Sequence, residues 1–136
     1  MKTICILIFL MSTALLLSNC KRSGKDNGLT KFTKLQNLRD GTQIYIIPGS
    51  GCTGCISEIE KSALDNKDSD SSFYVFTRLH SLKLFKNRFG SAFLERSNVI
   101  IDTGNIFQYE NTKNEIYPVA YKKLNGKFIL DRYLKP

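Results

Sequence analysis

The sequence is poor in several residue types on which whole classes of proteins depend. It has no Trp, a single His (His80), three Pro and four Cys in 136 residues. One His excludes a multi-His zinc centre, and any Ser-His-Asp triad would have to use His80. Four Cys are too few for a disulfide-dense secreted scaffold, and the low Pro and Gly content excludes collagen-like and linker-like chains. No segment fits the P-loop or dinucleotide-binding patterns.

The overall composition is that of one ordinary globular domain. Apolar residues make up 42% of the chain and charged residues 24%, and 136 residues leave room for one domain at most. Lys and Arg outnumber Asp and Glu by 20 to 12, which gives a net charge of +8. These basic residues are scattered, without the stripe or stacking aromatics of a nucleic-acid binder, so no nucleic-acid partner is expected. The charge suits solubility, or a position near anionic head groups.

The N-terminus has the pattern of an export signal. Residues 4–17 are almost wholly apolar, a run too short for a comfortable membrane span but typical of a signal peptide. The run ends in LSNC at residues 17–20, which resembles the lipobox of bacterial lipoproteins, although Asn19 replaces the usual Gly or Ala. The resemblance implies that residues 1–19 are removed and that Cys20 becomes the lipidated N-terminus. A plain secretory signal and an uncleaved anchor are the alternatives.

The rest of the chain divides into a tether and a folded domain. Residues 20–30 are polar and contain two Gly, so they are predicted to form a flexible tether. Residues 31–136 are predicted to form the domain. With a lipidated Cys20 this domain would be held in the bacterial cell envelope, facing the periplasm.

Hydrophobic patterning predicts an α/β domain with a mixed sheet. Strands are expected at 42–48, 72–79, 98–102, 117–124 and 127–133, with helices starting at Thr53 and His80. The segment 29–38 fits either a short helix or an edge strand. The strand-helix-strand start implies a parallel pair with a right-handed crossover. Asn125-Gly126 predicts a type I′ turn, so the domain is expected to end in an antiparallel β-hairpin.

A lone C-x-x-C pair carries the chemistry. Cys5 lies in the leader and Cys20 would be blocked by lipid, which leaves Cys52 and Cys55 in an oxidising compartment. The pair stands where the first strand is predicted to give way to a helix, and a helix N-terminus favours a thiolate. Cys52 is therefore the expected attacking nucleophile and Cys55 the residue that resolves the mixed disulfide. This chemistry requires no metal and no cofactor.

These residues resemble the thioredoxin-like family, and most closely its membrane-anchored, TlpA-like thiol-disulfide oxidoreductases. The resemblance covers about residues 42–133 and rests on the strand before the cysteine pair, the helix after it, and Tyr117-Pro118 before the hairpin. It implies a thioredoxin-like fold with a central mixed sheet flanked by helices. It also implies that Pro118 is a cis-proline that aligns the substrate chain, and that Glu58 tunes the cysteine pair.

The chain departs from the family pattern around the cysteines. Gly51 stands where a Trp is frequent, Ile46 where thioredoxins carry a buried Asp, and Glu60 where a Pro is common. Thr53-Gly54 also lacks the frequent Pro before the second cysteine. The dipeptide strongly affects the redox potential, so the direction of electron flow is not implied by the resemblance.

The sequence thus predicts a lipid-anchored thiol-disulfide oxidoreductase of the cell envelope. Its partners would be exported cysteine-containing proteins and a redox donor or acceptor protein. One alternative is a non-enzymatic binding lipoprotein in which Cys52–Cys55 is a structural disulfide. Another is a copper carrier in which His80 joins the two thiolates, since soft sulfur ligands suit Cu(I).

Overall fold

The computed structural model describes residues 28–67, 69–107 and 114–136. A short 3₁₀ turn at Leu29–Lys31 precedes the regular elements. The helices are α1 (Thr33–Gln36), α2 (Thr53–Asp65), α3 (Leu82–Phe89) and α4 (Ser91–Leu94), and the strands are β1 (Gln43–Pro48), β2 (Ser72–Thr77), β3 (Val99–Asp102), β4 (Val119–Leu124) and β5 (Lys127–Tyr133).

The five strands form one mixed sheet in the order β3-β2-β1-β4-β5. β1, β2 and β3 are parallel, whereas β4 runs antiparallel to both β1 and β5. The predicted α/β class, the parallel β1–α2–β2 start and the C-terminal hairpin are confirmed. Because β1, β2 and β3 are parallel, their carboxyl ends lie at one edge of the sheet, and the loops that follow them meet there.

The central strands are buried on both faces, which explains their continuous apolar sequences. Since successive side chains point to opposite faces, each strand contributes to two cores. Ile44, Ile46, Phe73 and Val75 pack in the core that also contains Leu29 and Leu35. Ile47, Tyr74 and Phe76 pack on the other face, against α2, α3 and α4.

The C-terminal hairpin turns at Asn125 and Gly126, as the sequence predicts. Both residues have positive φ, 51° and 74°, as a type I′ turn requires. The amides of Asn125 and Gly126 donate hydrogen bonds to the Asp40 carboxylate at 2.8 and 3.1 Å. A loop 85 residues earlier in the chain thus holds the turn, and no local pattern predicts that contact.

Folded structure begins earlier than the predicted tether allows. Leu29 is fully buried in the core, and the segment 29–38 forms a 3₁₀ turn and α1 rather than an edge strand. Gly28 has φ of 76°, and a Cβ there would lie 2.6 Å from the Ile106 carbonyl oxygen. The prediction that residues 28–30 belong to a flexible tether is therefore wrong, because a buried Leu and a close backbone approach hold them.

The leader, Cys20 and residues 20–27 of the tether lie outside the described residues. Within the described ranges, every helix is too short or too polar to span a bilayer.

Among the element boundaries that differ from the prediction, two have clear local reasons. β2 stops at Thr77 because Arg78 adopts a positive φ of 53°, which ends the extended chain. α3 starts at Leu82 rather than at His80, since the Ser81 hydroxyl accepts a hydrogen bond from the Leu84 amide at 3.3 Å and caps the helix.

Candidate active site

Cys52 and Cys55 form a disulfide at the carboxyl edge of the parallel strands. β1 ends at Pro48, a tight turn follows, and α2 begins at Thr53. Cys52 is partly exposed, whereas Cys55 is only 6% exposed and belongs to the buried face of α2. One sulfur-bearing residue is therefore accessible to another protein while the other lies behind it, as the C-x-x-C pattern predicts.

Cys52 occupies the N-cap position of α2. The residue has extended backbone angles, its carbonyl accepts from the Ile56 amide at 2.9 Å, and no side chain caps the helix. The first turn also contains no Asp or Glu. The free N–H groups and the positive end of the helix dipole are thus not offset by a nearby acidic side chain, an arrangement that stabilises a thiolate at Cys52 in the reduced protein.

The segment 114–118 packs directly against the cysteine turn. The Cys52 amide donates a hydrogen bond to the Ile116 carbonyl at 2.8 Å. Gly51 has φ of 144°, and a Cβ there would lie 2.2 Å from the same carbonyl oxygen. This contact explains why residue 51 is a glycine, because no side chain fits between the turn and Ile116.

Pro118 lies two residues beyond this contact and is buried, but the expected cis conformation is wrong. The described residues contain no cis peptide bond, so Tyr117–Pro118 is trans. The Pro118 carbonyl accepts a hydrogen bond from the Leu134 amide at 2.8 Å, which continues the pairing of β4 with the C-terminal strand. A trans bond, favoured intrinsically by about 0.5–1 kcal/mol, already fits this extended entry into β4.

Arg78 ties segment 114–118 to the loop after β2. Its amide donates to the Asn105 side-chain oxygen at 2.8 Å. Its guanidinium donates to the Glu115 carboxylate at 3.1 Å and also to the Glu115 main-chain carbonyl. The Arg78 carbonyl lies 2.5 Å from where a Cβ on Gly49 would be, so the turn before the cysteines packs on it as well. Sequence reasoning missed Arg78, because its partners are distant in the chain.

Glu58 and His80 are both exposed. Glu58 lies one turn after Cys55, and its side chain makes no hydrogen bond or ion pair with the other described residues. His80 lines a shallow pocket of about 170 Å³ together with Gly49, Leu84 and Arg88. Within the described ranges, no three His, Cys, Asp or Glu side chains are grouped so that they could hold a metal ion. The structure therefore does not assemble the ligand set of the copper carrier.

Glu60 is buried although it carries a charge. It is 6% exposed and lies on the buried face of α2, which the sequence does not predict for an acidic residue. Its two oxygens accept from the two terminal nitrogens of Arg88 on α3, at 3.2 and 2.5 Å. Burial raises the pKa of Glu60, and the charge and hydrogen bonds of Arg88 partly oppose this rise. The pair therefore links the cysteine-bearing helix to α3.

We expect Arg88→Leu to lower the free energy of unfolding by about 1–3 kcal/mol at pH 7, because it leaves a buried carboxylate without its partner. Since burial raises the pKa of Glu60 in the folded protein, this group stabilises the fold most below its ordinary pKa of 4.5, and the contribution falls as pH rises through the folded pKa. Loss of Arg88 raises that pKa further, so Arg88→Leu should lower the free energy of unfolding more at pH 7 than at pH 4. Denaturant unfolding at pH 7 and at pH 4 measures the difference.

Glu60→Gln is the matched control for this prediction. In that background the buried group is neutral, so Arg88→Leu should cost less and its cost should no longer depend on pH. Equal costs of Arg88→Leu in the two backgrounds would show that the ion pair does not couple the helices.

No known protein family, curated protein or solved structure matches this chain.

Proposed function

We propose that the protein is a thiol-disulfide oxidoreductase with a thioredoxin-like fold. The observation that carries the proposal is the Cys52–Cys55 disulfide at the start of α2, with Cys52 more exposed than Cys55. A structural disulfide has no need for an accessible sulfur at a helix N-terminus, whereas exchange chemistry requires one.

The strand order supports the fold assignment. A parallel β1–α2–β2 unit carries the cysteines at its first loop, α3 follows, and the β4–β5 hairpin completes the sheet on the other side of β1. This is the arrangement that the resemblance to thioredoxin-like proteins implies. Pro118 enters β4 beside the cysteine turn, so segment 114–118 is where we place the partner chain.

The exchange proceeds in two successive thiol-disulfide exchange steps. In the oxidising direction a partner thiolate attacks the Cys52 sulfur, the Cys52–Cys55 bond breaks, and Cys55 leaves as a thiolate. A second partner thiolate then attacks the partner's own sulfur in the mixed disulfide, and Cys52 leaves as a thiolate. The partner has lost two electrons and the cysteine pair has gained them. Run backwards, the same steps reduce a partner disulfide.

The helix N-terminus assists the step in which Cys52 departs, because its free N–H groups and dipole stabilise the leaving thiolate. We assign Glu58, which is exposed one turn beyond Cys55, to proton exchange between the thiols and solvent. Pro118 would align the partner chain next to Cys52. No cofactor or metal enters these steps.

Location and partners follow from the N-terminal sequence. We propose that Cys20 is lipidated and holds the domain on the periplasmic side of the bacterial envelope. Its partners there are exported cysteine-containing proteins, together with a redox protein that restores the working state of the cysteine pair.

The test is the equilibrium redox potential of Cys52–Cys55, measured by thiol trapping in graded redox buffers. Cys5→Ser and Cys20→Ser remove the other thiols, so the number of thiols that are trapped reports on Cys52 and Cys55 alone. A potential of about −270 mV would identify a reductase, and one of about −120 mV would identify a protein that oxidises its partners. A pair still oxidised well below about −300 mV would overturn the proposal in favour of a binding lipoprotein with a structural bridge.

A further inference from the structure

A slot of about 320 Å³ lies along the outer edge of the sheet at β3, away from the cysteine pair. Val99, Ile100 and Ile101 form its floor, Phe32 and Lys34 stand on one side, and Leu94 stands on the other. Phe32 is partly buried and packs against the core on one face of the sheet, and Leu94 is partly buried and packs against the core on the opposite face. Both apolar layers thus extend past the last strand, and the gap between them is in line with the sheet.

The backbone at the floor of this slot is available for pairing. The Asn98 carbonyl accepts a hydrogen bond from the Tyr74 amide at 2.9 Å, so the main-chain groups of Asn98 and of Ile100, two residues later, face β2. The main-chain groups of Val99 and Ile101 therefore face away from β2. The Val99 amide is satisfied by the Arg96 carbonyl at 3.2 Å. The amide and carbonyl of Ile101 face the slot, with no partner among the described residues.

The opposite edge of the sheet lacks these features. β5 carries a register shift opposite Ala120 and Tyr121, which leaves Asp131 as an extra residue in the strand. Such a bulge twists an edge away from further pairing, and charged residues such as Lys127 and Arg132 on the strand discourage it too. In the described part of the chain, the β3 edge is therefore the one shaped to receive another strand.

Charge identifies the occupant. Lys34 borders the slot and Lys31 is exposed on the preceding turn, while the whole chain has a net charge of +8. A second copy would bring the same excess of positive charge. The chain's own residues 21–27, KRSGKDN, are basic and have no apolar side chain to meet Phe32 or Leu94. An acidic partner is attracted by the positive charge beside the slot, whereas a second copy and residues 21–27 are repelled by it.

We propose that the β3 edge binds an extended segment of an acidic partner protein by strand addition. Main-chain hydrogen bonds to Ile101 hold the segment, and its alternate side chains point to the two faces. The apolar side chains pack on Leu94. On the other face, carboxylates reach Lys34 while their methylene groups cover Phe32. This surface is independent of the proposed exchange activity.

A fluorescein-labelled Val-Glu-Val-Glu-Val-Glu peptide, titrated with the purified protein and followed by fluorescence anisotropy, tests the proposal. We expect it to bind more tightly than Val-Lys-Val-Lys-Val-Lys. We also expect Lys34→Glu to weaken binding about fivefold or more, and Lys127→Glu on the β5 edge to leave it unchanged. Hydrogen exchange of the Ile101 amide should slow when the acidic peptide binds.

Several results would overturn this inference: no binding of the acidic peptide, equal binding of both peptides, or a larger effect of Lys127→Glu than of Lys34→Glu. An Ile101 amide that is already protected in the free protein would mean that the slot is filled. Light scattering then assigns the occupant to a second copy if the protein is a dimer, and to its own N-terminal residues if it is a monomer. Because the assay does not involve the cysteines, its failure leaves the redox potential test unaffected.

Discussion

Cys52→Ser will reduce thiol-disulfide exchange to the rate of the uncatalysed reaction, whereas Cys55→Ser will trap the protein in a mixed disulfide with its partner. The two outcomes differ because the two residues differ in exposure: Cys52 is accessible at the start of α2, and Cys55 is 6% exposed behind it. Without Cys52 no accessible sulfur remains to attack or be attacked. Without Cys55 the first step still occurs, but nothing on the protein resolves the product.

Both variants belong in the Cys5→Ser, Cys20→Ser background, which should itself exchange at the rate of the unaltered pair. Reduction of insulin by dithiothreitol measures the activity, and non-reducing gels of the protein with a cysteine-containing peptide disulfide measure trapping. Full activity in Cys52→Ser would show that the assigned nucleophile is wrong. Mixed disulfides that form through Cys55 in the absence of Cys52 would reverse the two roles.

Gly51→Ala will destabilise the protein by about 3 kcal/mol, while Gly54→Ala, three residues away, will stabilise it by about 0.5–1 kcal/mol. At Gly51 the new Cβ would lie 2.2 Å from the Ile116 carbonyl oxygen, and φ is 144°, a region that essentially only Gly adopts. At Gly54 a Cβ meets nothing within 4 Å, and the residue is helical, where Ala is favoured over Gly.

Urea unfolding of the oxidised proteins, followed by circular dichroism, measures both changes. Hydrogen exchange adds a local readout, because the Cys52 amide is bonded to Ile116 and should exchange faster only in Gly51→Ala. Because Gly54 lies between the two cysteines, where a substitution also affects the redox potential, Gly54→Ala is compared with Gly51→Ala in stability and not in redox activity. Equal destabilisation by the two substitutions would contradict the close packing of segment 114–118 on the cysteine turn.

Much of the fold is predictable from local patterns. The β-branched and aromatic runs around Ile46 and Val75 predict buried strands, and the helix between them requires a parallel crossover. Asn125-Gly126 predicts the hairpin because few other dipeptides tolerate two positive φ angles. The disulfide of Cys52 and Cys55 is predictable in the same way, from its spacing and its place between a strand and a helix.

The errors concern residues whose surroundings come from distant parts of the chain. Glu60 reads as an ordinary surface carboxylate until Arg88, on another helix, is brought against it. Leu29 reads as part of a tether until the core closes over it. Pro118 follows an aromatic residue, which favours cis locally, but the pairing of its carbonyl with Leu134 accompanies a trans bond.

The sequence by itself determined most of the secondary structure, the mixed α/β sheet and the position of the cysteine pair, because these depend on hydrophobic period, turn chemistry and spacing within a few residues. Only the tertiary structure decided what surrounds them. It packs Ile116 on Gly51, ties Arg78 to Glu115, buries Glu60 against Arg88 and forms the slot along β3. Such contacts join segments 28 to 65 residues apart, and their partners are chosen by packing and charge compensation, which no local pattern specifies.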